Sequence, residues 1–451
     1  HAYWRLKGLA VDMVIWNEDQ AGYRQELQDL ILGLIASGTE ANLVDRPGGI
    51  FVRPSQQLSM EDRVLVQSVA RIVLYDNRGT LAEQIERRRV ESPLPRLTVS
   101  RTPRAEQAPP QDDTGALLET LELTNRYGGF TADKTEYVIA LRPGHPTPAP
   151  WVNVLANPDF GCVISEAGSA YTWAENSHEF RLTPWNNDSI RDTCGEAIYL
   201  RDEESGHYWS PTPLPRRGKG AYITRHGFGY SVYEHVEDGI HSELWVYVAL
   251  HASIKFSVLR VSNRSGRARR LSATGYVEWV LGDLRTKYAM HIVSESDPVT
   301  GALLARNAYN TEFQGRVAFF DTDATTRSIT GDRSEFLGRN NNLRMPEAMA
   351  RAGLSGRLGP GLDPCAAIQV PFELAKDDTR EVIFRLGAAH DAKGATELAQ
   401  RYRGSSAANV ALEEIRMHWR WTLGKVQVNT PDPSINALAN GWLMYQVIAS
   451  R

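Results

Sequence analysis

The segment from Asn157 to Asp202 concentrates side chains that are able to bind a sugar. Flat apolar faces come from the aromatic residues Tyr171, Trp173, Trp185 and Tyr199. Hydrogen-bonding groups come from Asn157, Glu166, Asn176, Glu179, Arg181, Asn186, Asn187, Asp188, Arg201 and Asp202. A sugar ring has an apolar C–H face and a polar equator, so a site for it needs both kinds of residue in one concave place. Composition alone favours a plainer alternative, a half-buried antiparallel sheet in which aromatic and polar residues also interleave.

Two further kinds of chemistry can be tested against the sequence. The acidic residues of this segment are Glu166, Glu175, Glu179, Asp188 and Asp192. Glycosidases use two carboxyl groups about 5 to 9.5 Å apart, but charged strand ends need no catalytic reason, so we assign none of these a catalytic role.

Metal-binding residue types occur at His235, Asp238, His241, Glu243 and His251. Their spacing matches no zinc motif, and we expect His251 to be a hydrogen-bonded histidine within a sheet.

The overall composition limits the classes of partner. The chain has 451 residues, 50 Lys and Arg against 54 Asp and Glu, and a net charge of -4, so no basic surface for nucleic acid is expected. Its longest apolar runs carry charged residues, which excludes a membrane-spanning helix. Three cysteines without CxxC spacing indicate neither a disulfide framework nor a zinc site, and favour a reducing, cytoplasmic location.

Several long segments resemble one known family. They are YGGFTADKTEYVI at 127–139, TPAPWVNVLANPDFG at 147–161, the continuation to TPWNND at 183–188, YLRD at 199–202, WSPTPLP at 209–215 and RHGFGYS at 225–231. Together they resemble the N-terminal sandwich domain of family 94 glycoside hydrolases. This family includes cellobiose and chitobiose phosphorylases and the C-terminal region of cyclic β-1,2-glucan synthases. Residues 1–90 resemble the segment that precedes the domain in the synthases and not in the free phosphorylases, which favours the synthase type.

The elements that must position these side chains are mostly short strands. Between 117 and 386 apolar runs alternate with turn residues, and in ELWVYVAL at 243–250 both faces of the strand are apolar. A strand covered on both faces is typical of a large two-layer sandwich. We therefore predict a multidomain, mainly β protein. The resemblance implies that the sandwich, over 117–403, is a galactose-mutarotase-like supersandwich.

The flanking segments differ in pattern. Residues 1–90 predict a truncated α/β unit, with a buried parallel strand at 11–16 and no glycine-rich phosphate loop, so we assign no cofactor. Ser59, with Asp62 three residues on, predicts the start of a helix whose apolar side carries Leu65, Val69, Ile72 and Val73. Residues 91–116 predict a Pro-rich linker, and 404–429 a linker helix. Residues 430–451 predict a helix with Asp432 as N-cap and Pro433 at its first position. The spacing predicts one apolar stripe on this helix, formed by Ile435, Leu438, Trp442, Tyr445 and Ala449. The resemblance implies that this is the first helix of a truncated (α/α)6 barrel, so we expect the catalytic residues beyond Arg451 and the chain to be an inactive fragment by itself.

The resemblance also implies a reaction and a loop. Family 94 phosphorylases invert the anomeric centre, with an aspartic acid protonating the glycosidic oxygen while inorganic phosphate, the co-substrate, attacks. A loop after TPWNND, here Asn186 to Glu196, closes the acceptor side, and its arginine corresponds to either Arg191 or the position of Glu196. The substrate-side residues we predict are Trp173, Asn176, Trp185, Asn186, Asp188 and Arg191. Sheet packing or turn formation is the alternative role for each of them.

Three functions stay open at this point. The chain is a piece of a cyclic β-1,2-glucan synthase, part of a disaccharide phosphorylase, or a non-catalytic module that binds glucan or measures its length. The expected partners are a β-glucan oligosaccharide, the protein's own C-terminal barrel and a second copy in a homodimer. The expected location is the cytoplasmic face, as the soluble portion of an inner-membrane protein. Glucan linkage and length are not determined by these patterns.

Overall fold

A computed structural model describes residues 1–18, 26–39, 41–86, 94–99, 114–188 and 190–451. The chain divides into two compact units, His1–Arg89 and Val90–Arg451. The predicted Pro-rich linker over 91–116 lies largely outside the described residues, as do Asp19 and Tyr23 of the N-terminal unit. Each unit is described by itself.

The N-terminal unit is a small α/β structure. Its elements are α1 (Ala2–Leu6), β1 (Met13–Asn17), α2 (Glu26–Ala36), β2 (Ile50–Pro54), α3 (Met60–Val69) and α4 (Leu81–Glu86). Strands β1 and β2 pair in parallel, with Ile15 opposite Val52, as the sequence predicts. Helix α3 begins where expected, because the Ser59 hydroxyl accepts the backbone N–H of Asp62 at 3.0 Å.

The apolar side chains of this unit are less buried than predicted. Strand β1 was expected to be a buried strand, but Met13 is 41% and Val14 43% exposed. The reason is that α2 packs against β2, and the described core of the unit centres on Ile35, Ile50 and Val52. On α3 the predicted apolar side is likewise exposed, at 61% for Leu65.

The C-terminal unit consists mainly of antiparallel strands. They are β3 (Gly128–Phe130), β4 (Glu136–Leu141), β5 (Val152–Asn157), β6 (Phe160–Ser165), β7 (Ala170–Ala174), β8 (Glu196–Asp202), β9 (Tyr208–Trp209), β10 (Tyr222–Gly227), β11 (Tyr230–Glu237), β12 (Ile240–Val248), β13 (Ile254–Asn263), β14 (Arg269–Glu278), β15 (Ile292–Ser296), β16 (Leu303–Asn307), β17 (Val317–Thr322), β18 (Ser328–Asp332), β19 (Pro364–Leu374) and β20 (Thr379–Ala389). The helices are α5 (Thr114–Glu119), α6 (Arg285–Tyr288), α7 (Arg333–Leu337), α8 (Ala392–Arg401), α9 (Ser405–Leu423), α10 (Pro433–Ala437) and α11 (Leu443–Ala449).

These strands form three sheets. The largest has ten strands in the order β15-β16-β17-β20-β13-β12-β11-β10-β4-β3, the second has the order β18-β19-β14-β8-β9, and the third is β5-β6-β7. The main core holds the inner faces of all three, for example Leu244 of β12, Leu271 of β14 and Phe160 of β6. A second core lies between the other face of the ten-stranded sheet and helices α8, α9 and α11. The mainly β prediction is therefore confirmed.

Strand β12 shows why its sequence is apolar on both faces. Leu244 and Val246 belong to the main core, whereas Tyr247, on the opposite face, belongs to the second core. The two-sided apolar pattern thus corresponds to a strand in the middle layer between a sheet and a layer of helices.

The terminal helix begins where the sequence predicts, but its buried face differs. Asp432 caps α10 by accepting the N–H of Ser434 at 2.8 Å, and Gly424 follows the end of α9 at Leu423. Between α10 and α11 the chain makes a π turn at Leu438–Trp442, which adds a residue to the turn and rotates the buried face.

As a result, the predicted apolar stripe of the terminal helix divides into two parts. Trp442 and Tyr445 are buried against the sandwich, whereas Ile435 is 49% and Leu438 41% exposed. The buried pair packs against a residue far earlier in the chain, because Phe228 lies 4.9 Å from Trp442 and 5.2 Å from Tyr445, measured between ring centroids. Among the described residues, no helix combines the length and apolarity that crossing a bilayer requires.

Candidate functional site

Three aromatic rings lie side by side on the outer face of the small sheet β5-β6-β7. In β7, Ala170, Thr172 and Ala174 point into the core, so Tyr171 and Trp173 point outward and are half-buried. Their ring centroids are 5.2 Å apart with an interplanar angle of 33°. The strand alternation therefore places two flat apolar faces on one surface.

Trp185 completes this group, which we call the aromatic row (Trp173, Tyr171, Trp185). Its ring lies 4.8 Å from that of Tyr171, and it is 42% exposed. Trp185 follows Pro184, which packs closely against Gly195: a Cβ added to Gly195 would lie 2.6 Å from Cδ of Pro184. The chain on either side of the loop is therefore in contact next to Trp185. The central ring is thus Tyr171, which joins two tryptophans separated by twelve positions in the chain.

A glycine lies beneath one end of the row. A Cβ added to Gly161 would lie 2.4 Å from Cζ2 of Trp173 and 2.9 Å from the Cβ of Ala156. The indole therefore packs directly against the backbone of β6 at Gly161, where no side chain of that residue lies between them.

The 186–195 loop follows the row and is anchored at its C-terminal end. The Asp192 carboxylate accepts the Ser165 hydroxyl at 2.6 Å, and the Thr193 carbonyl accepts the Ser169 hydroxyl at 3.1 Å. Desolvation raises the pKa of Asp192, although its hydrogen bonds with Ser165 and Ser169 oppose the effect. The end of the loop is therefore joined to the turn between β6 and β7.

The tip of this loop projects outward. The Asp188 carboxylate accepts the N–H groups of Ile190 at 3.1 Å and Arg191 at 3.0 Å. These two hydrogen bonds hold the pKa of Asp188 below its usual range, and the nearby Arg191 charge contributes. Ile190 is 93% exposed and Arg191 is exposed; Ser189 lies outside the described residues. Both side chains of this tip therefore face solvent.

Five of the six predicted substrate-side residues lie in the aromatic row or in the loop that follows it, and the sixth, Asn176, lies elsewhere. Trp173 and Trp185 share the aromatic row, while Asn186, Asp188 and Arg191 lie in the loop that follows it. Asn176 lies in a different turn, where its side-chain oxygen accepts the N–H groups of residues 178 and 179, both at 2.9 Å. Sugar binding by all six residues stays a prediction.

Tyr171 was not among the predicted substrate-side residues, although it is the central ring. The signal that could have found it is its spacing of two from Trp173 within one predicted strand, since residues at i and i+2 share a sheet face.

The two alternative positions for the acceptor-side arginine lie in different environments. Arg191 is exposed, whereas Glu196 points into the core, where it forms an ion pair with the buried Lys255. The Glu196 carboxylate also accepts the hydroxyls of Thr172 at 2.6 Å and Thr183 at 2.8 Å. Of the two positions, only Arg191 is placed to reach a ligand outside the sandwich.

The acidic residues of the segment hold structural contacts. Glu166 is 3% exposed, accepts the Trp151 N–H at 2.7 Å, and has its pKa raised by burial. Glu175 pairs with Arg316 at 2.6 Å, and Glu179 with its neighbour His178 at 2.7 Å. Asp188 and Asp192 hold the loop as described above. A pair of carboxylates acting on a glucan is therefore not supported by these residues.

The histidines differ from expectation. His251 is exposed in the turn between β12 and β13, so its predicted role as a sheet histidine is wrong. The strand pattern suggested burial, but β12 ends at Val248, three residues before it. Within the described residues, ligand atoms suited to a metal ion come together instead at His207, Glu237 and Asp238.

Comparison with known proteins gives a consistent result. Residues 135–405 match the glycosyl hydrolase 94 supersandwich domain, which confirms both the predicted supersandwich and the family resemblance. The chain is 34% identical over 459 residues to the cyclic beta-(1,2)-glucan synthase NdvB of Rhizobium meliloti (strain 1021), covering 100% of this chain and 16% of that protein.

Other relatives share a shorter part of the chain. It is 30% identical over 333 residues to the N,N'-diacetylchitobiose phosphorylase of Vibrio furnissii, covering 71% of this chain and 40% of that enzyme. Among solved structures, a bacterial glucoamylase complexed with acarbose aligns with a TM-score of 0.39 at 8% identity, over 67% of this chain and 43% of the glucoamylase. The chain thus spans less than half the length of the glucan synthase and of the chitobiose phosphorylase.

Proposed function

This chain belongs to glycosyl hydrolase family 94 through its supersandwich domain, and from that premise we propose that the C-terminal unit forms the acceptor-side wall of a β-glucan site. The observation that carries the proposal is the aromatic row, three rings with successive centroids 5.2 Å and 4.8 Å apart on one outer sheet face. Sugar rings pack their C–H faces on such rings, and neighbouring polar groups then fix the orientation of the sugar.

In this proposal the 186–195 loop supplies the polar contacts. Its C-terminal end is anchored through Asp192 and Thr193, while Ile190 and Arg191 are exposed at its tip. An anchored base holds the loop in place, so Arg191 presents its hydrogen-bond donors to sugar hydroxyls without a large ordering cost. Asp188 orients Arg191 by accepting its backbone N–H.

Catalysis in this proposal requires a partner domain. Its general acid would protonate the glycosidic oxygen while a phosphate oxygen attacks the anomeric carbon with inversion, and both groups would come from an (α/α)6 barrel. The terminal helix offers a surface for such a domain: Leu443, Met444, Val447 and Ile448 are between 40% and 67% exposed, on a helix that packs against β5 of the sheet that bears the row. A homodimer stays a prediction.

Among the three functions considered, the observations favour a part of a cyclic β-glucan synthase. The glucan synthase aligns with 100% of this chain, including the N-terminal unit, whereas the chitobiose phosphorylase aligns with 71%. A β-1,2-linked glucan is therefore the ligand we propose, and phosphorolysis or transglycosylation the reaction of the whole enzyme. A non-catalytic binding role for this chain is compatible with the same surface.

Titration with linear β-1,2-glucan oligosaccharides, followed by calorimetry and tryptophan fluorescence, tests this proposal. Replacing Trp173 or Trp185 by Ala removes one stacking face, and we expect each change to weaken binding about tenfold or more. Arg191→Ala should weaken binding without lowering thermal stability. The matched control is Trp421→Ala, on α9, where the indole is 66% exposed and far along the chain from the row. Equal loss of affinity in the control, or wild-type affinity in both row variants, would contradict the proposal.

A further inference from the structure

The outer sheet face that bears the aromatic row continues beyond β7. Trp173 lies opposite Arg181 in an antiparallel bridge, and Arg181 lies opposite Gly282 in a second one. The Arg181 N–H donates to the Gly282 carbonyl at 3.1 Å, and the Gly282 N–H donates to the Arg181 carbonyl at 3.2 Å. Residues directly opposite each other in an antiparallel pair share a face. The face therefore extends two strand spacings, about 10 Å, beyond the row.

A tyrosine ring covers Gly282 on this face. A Cβ added to Gly282 would collide with the ring of Tyr288, so that ring occupies the space that a side chain at 282 would take. Tyr288 is buried, and its ring centroid lies 6.5 Å from that of Tyr309. The outer face thus leads from the aromatic row, past Arg181 and Tyr288, to a fourth accessible ring, that of Tyr309.

Tyr309 presents its ring in a fixed orientation. The ring stacks on His291 with centroids 4.4 Å apart and an interplanar angle of 15°, and Tyr309 is 59% exposed. The buried Asn307 holds the turn: its side-chain oxygen accepts the Tyr309 N–H at 3.0 Å, and its Nδ2 donates to the Leu281 carbonyl at 2.8 Å. The turn is thereby fixed to the segment that contains Gly282. A ring held in this way loses little freedom when a ligand stacks on it.

Arg181 supplies polar groups between the two aromatic surfaces. Its Nε donates to the Ser177 carbonyl at 3.3 Å and its Nη1 to the Asp283 carbonyl at 3.1 Å, which fixes the plane of the guanidinium. Arg181 is half-buried, and among the described residues its Nη2 has no hydrogen-bond partner. The two N–H groups on Nη2 are therefore available to hydroxyl groups of a ligand lying across this face.

We propose that the glucan surface extends from the aromatic row over Arg181 to Tyr309, which forms a second stacking position for a longer β-glucan chain. This inference rests on the proposed function, because the same chain would occupy the row. The path from Trp173 crosses two strand spacings and then the 6.5 Å step from Tyr288 to Tyr309, so a disaccharide on the row does not reach the second position. A longer chain reaches both, and its second contact is then intramolecular, which raises affinity without any new contact on the row.

The test compares two ligands on the whole chain by calorimetry: a β-1,2-linked disaccharide and a long linear oligosaccharide of the same linkage. In the wild type the long chain should bind about tenfold tighter or more. Tyr309→Ala should remove most of this difference and leave the affinity for the disaccharide unchanged. Trp173→Ala should weaken the binding of both ligands. Tyr309→Phe keeps the flat ring and should bind the long chain within about twofold of the wild type.

The control for Tyr309→Ala is Trp421→Ala, an exposed ring on α9, the helix that packs on the other face of the ten-stranded sheet. It should bind both ligands like the wild type. If Tyr309→Ala fails to fold, as judged by circular dichroism, Tyr309→Leu takes its place, since it removes the flat ring but keeps an apolar side chain.

Two outcomes would overturn the second stacking position while the row stands, as judged by loss of binding in Trp173→Ala. One is wild-type affinity of Tyr309→Ala for the long chain, which is what a surface used only for protein contacts would give. The other is an equal loss for both ligands. Wild-type affinity of Trp173→Ala for both ligands would instead overturn the proposed function, and this inference with it.

Discussion

The hydroxyl of Tyr445 lies 2.7 Å from the side-chain oxygen of Asn153, although 292 residues separate the two in the chain. The same hydroxyl lies 2.9 Å from the Val154 carbonyl and accepts the N–H of Gly229 at 3.1 Å. Asn153 in turn donates to the carbonyls of Gly227 and Tyr230, both at 2.9 Å. One buried phenol therefore joins the terminal helix to strand β5 and to the turn before β11.

Tyr445→Phe should lower the free energy of unfolding by about 1 to 3 kcal/mol. The change leaves the ring in place but removes the hydroxyl, so a buried amide oxygen and a buried N–H lose a partner. Urea unfolding monitored by fluorescence measures the effect. The control is Tyr309→Phe, whose ring is 59% exposed and should change stability by no more than about 0.5 kcal/mol. Equal values for the two variants would show that the Asn153 contact is not energetically significant.

Lys255→Met should be strongly destabilising. Lys255 is 3% exposed and pairs with Glu196, so its loss leaves a buried carboxylate whose remaining partners among the described residues are the hydroxyls of Thr172 and Thr183. Breaking a buried pair in this way costs about 3 to 5 kcal/mol.

The surface pair of Lys393 and Glu397 provides the control for this prediction, because its side chains are 85% and 65% exposed. Lys393→Met should cost less than about 1 kcal/mol. Replacing Lys255 and Glu196 together, by Met and Gln, should recover part of the loss; a double variant as unstable as the sum of the single changes would exclude coupling between the two side chains.

The free energy of unfolding should decrease in mild acid because His226 is buried in its neutral form. Burial lowers its pKa from 6.5 to about 4, and its ring lies 2.8 Å from the Ser231 hydroxyl and 3.1 Å from the Trp151 carbonyl. The folded state keeps the ring neutral while the unfolded state takes up a proton. The neutral His226 ring therefore contributes fully to the free energy of unfolding above pH 6.5. As the pH falls from 6.5 towards 4, this free energy decreases by up to roughly 3 kcal/mol.

His226→Gln tests this sign directly. Unfolding free energies of wild type and variant, measured at pH 7.5, 6.0 and 5.0, should converge as the pH falls, because the variant lacks the titrating group. His178→Gln, at an exposed position, should run parallel to the wild type. A constant difference between His226→Gln and wild type across this range would disprove the assignment.

Gly161→Ala should disturb the aromatic row more than the fold. The new methyl group would lie 2.4 Å from the Trp173 ring, which is half-buried and has solvent on its outer side. We expect glucan affinity to fall several-fold while Tm changes by only a few degrees. Gly33→Ala is the control, since a Cβ there meets nothing within 4 Å and helix α2 should become slightly more stable. Unchanged affinity in Gly161→Ala would show that glucan binding does not depend on the orientation of Trp173.

The sequence predicted well those features that depend on neighbouring residues. The caps at Ser59 and Asp432 each require only a side chain and the next helical turn, and both form as expected. The two-sided apolar pattern of β12 also corresponds to a strand between two cores. The long ordered segments between 127 and 231 were enough to identify the family.

Other expectations failed because the decisive contacts are distant in the chain. A π turn at Leu438–Trp442 rotated the terminal helix away from its predicted face, and β12 ended before His251. The periodicity of apolar residues in the sequence predicts neither the π turn nor the end of β12, since both depend on what packs against the element.

By itself, the sequence determined the mainly β class and the family. Only the tertiary structure decided that Trp185 adjoins Tyr171, that Glu196 points inward to Lys255, and that His207 meets Glu237. The physical reason is that alternation and capping are local properties of the backbone. Antiparallel pairing and sheet packing bring together residues tens to hundreds of positions apart, and no local pattern encodes which of them will meet.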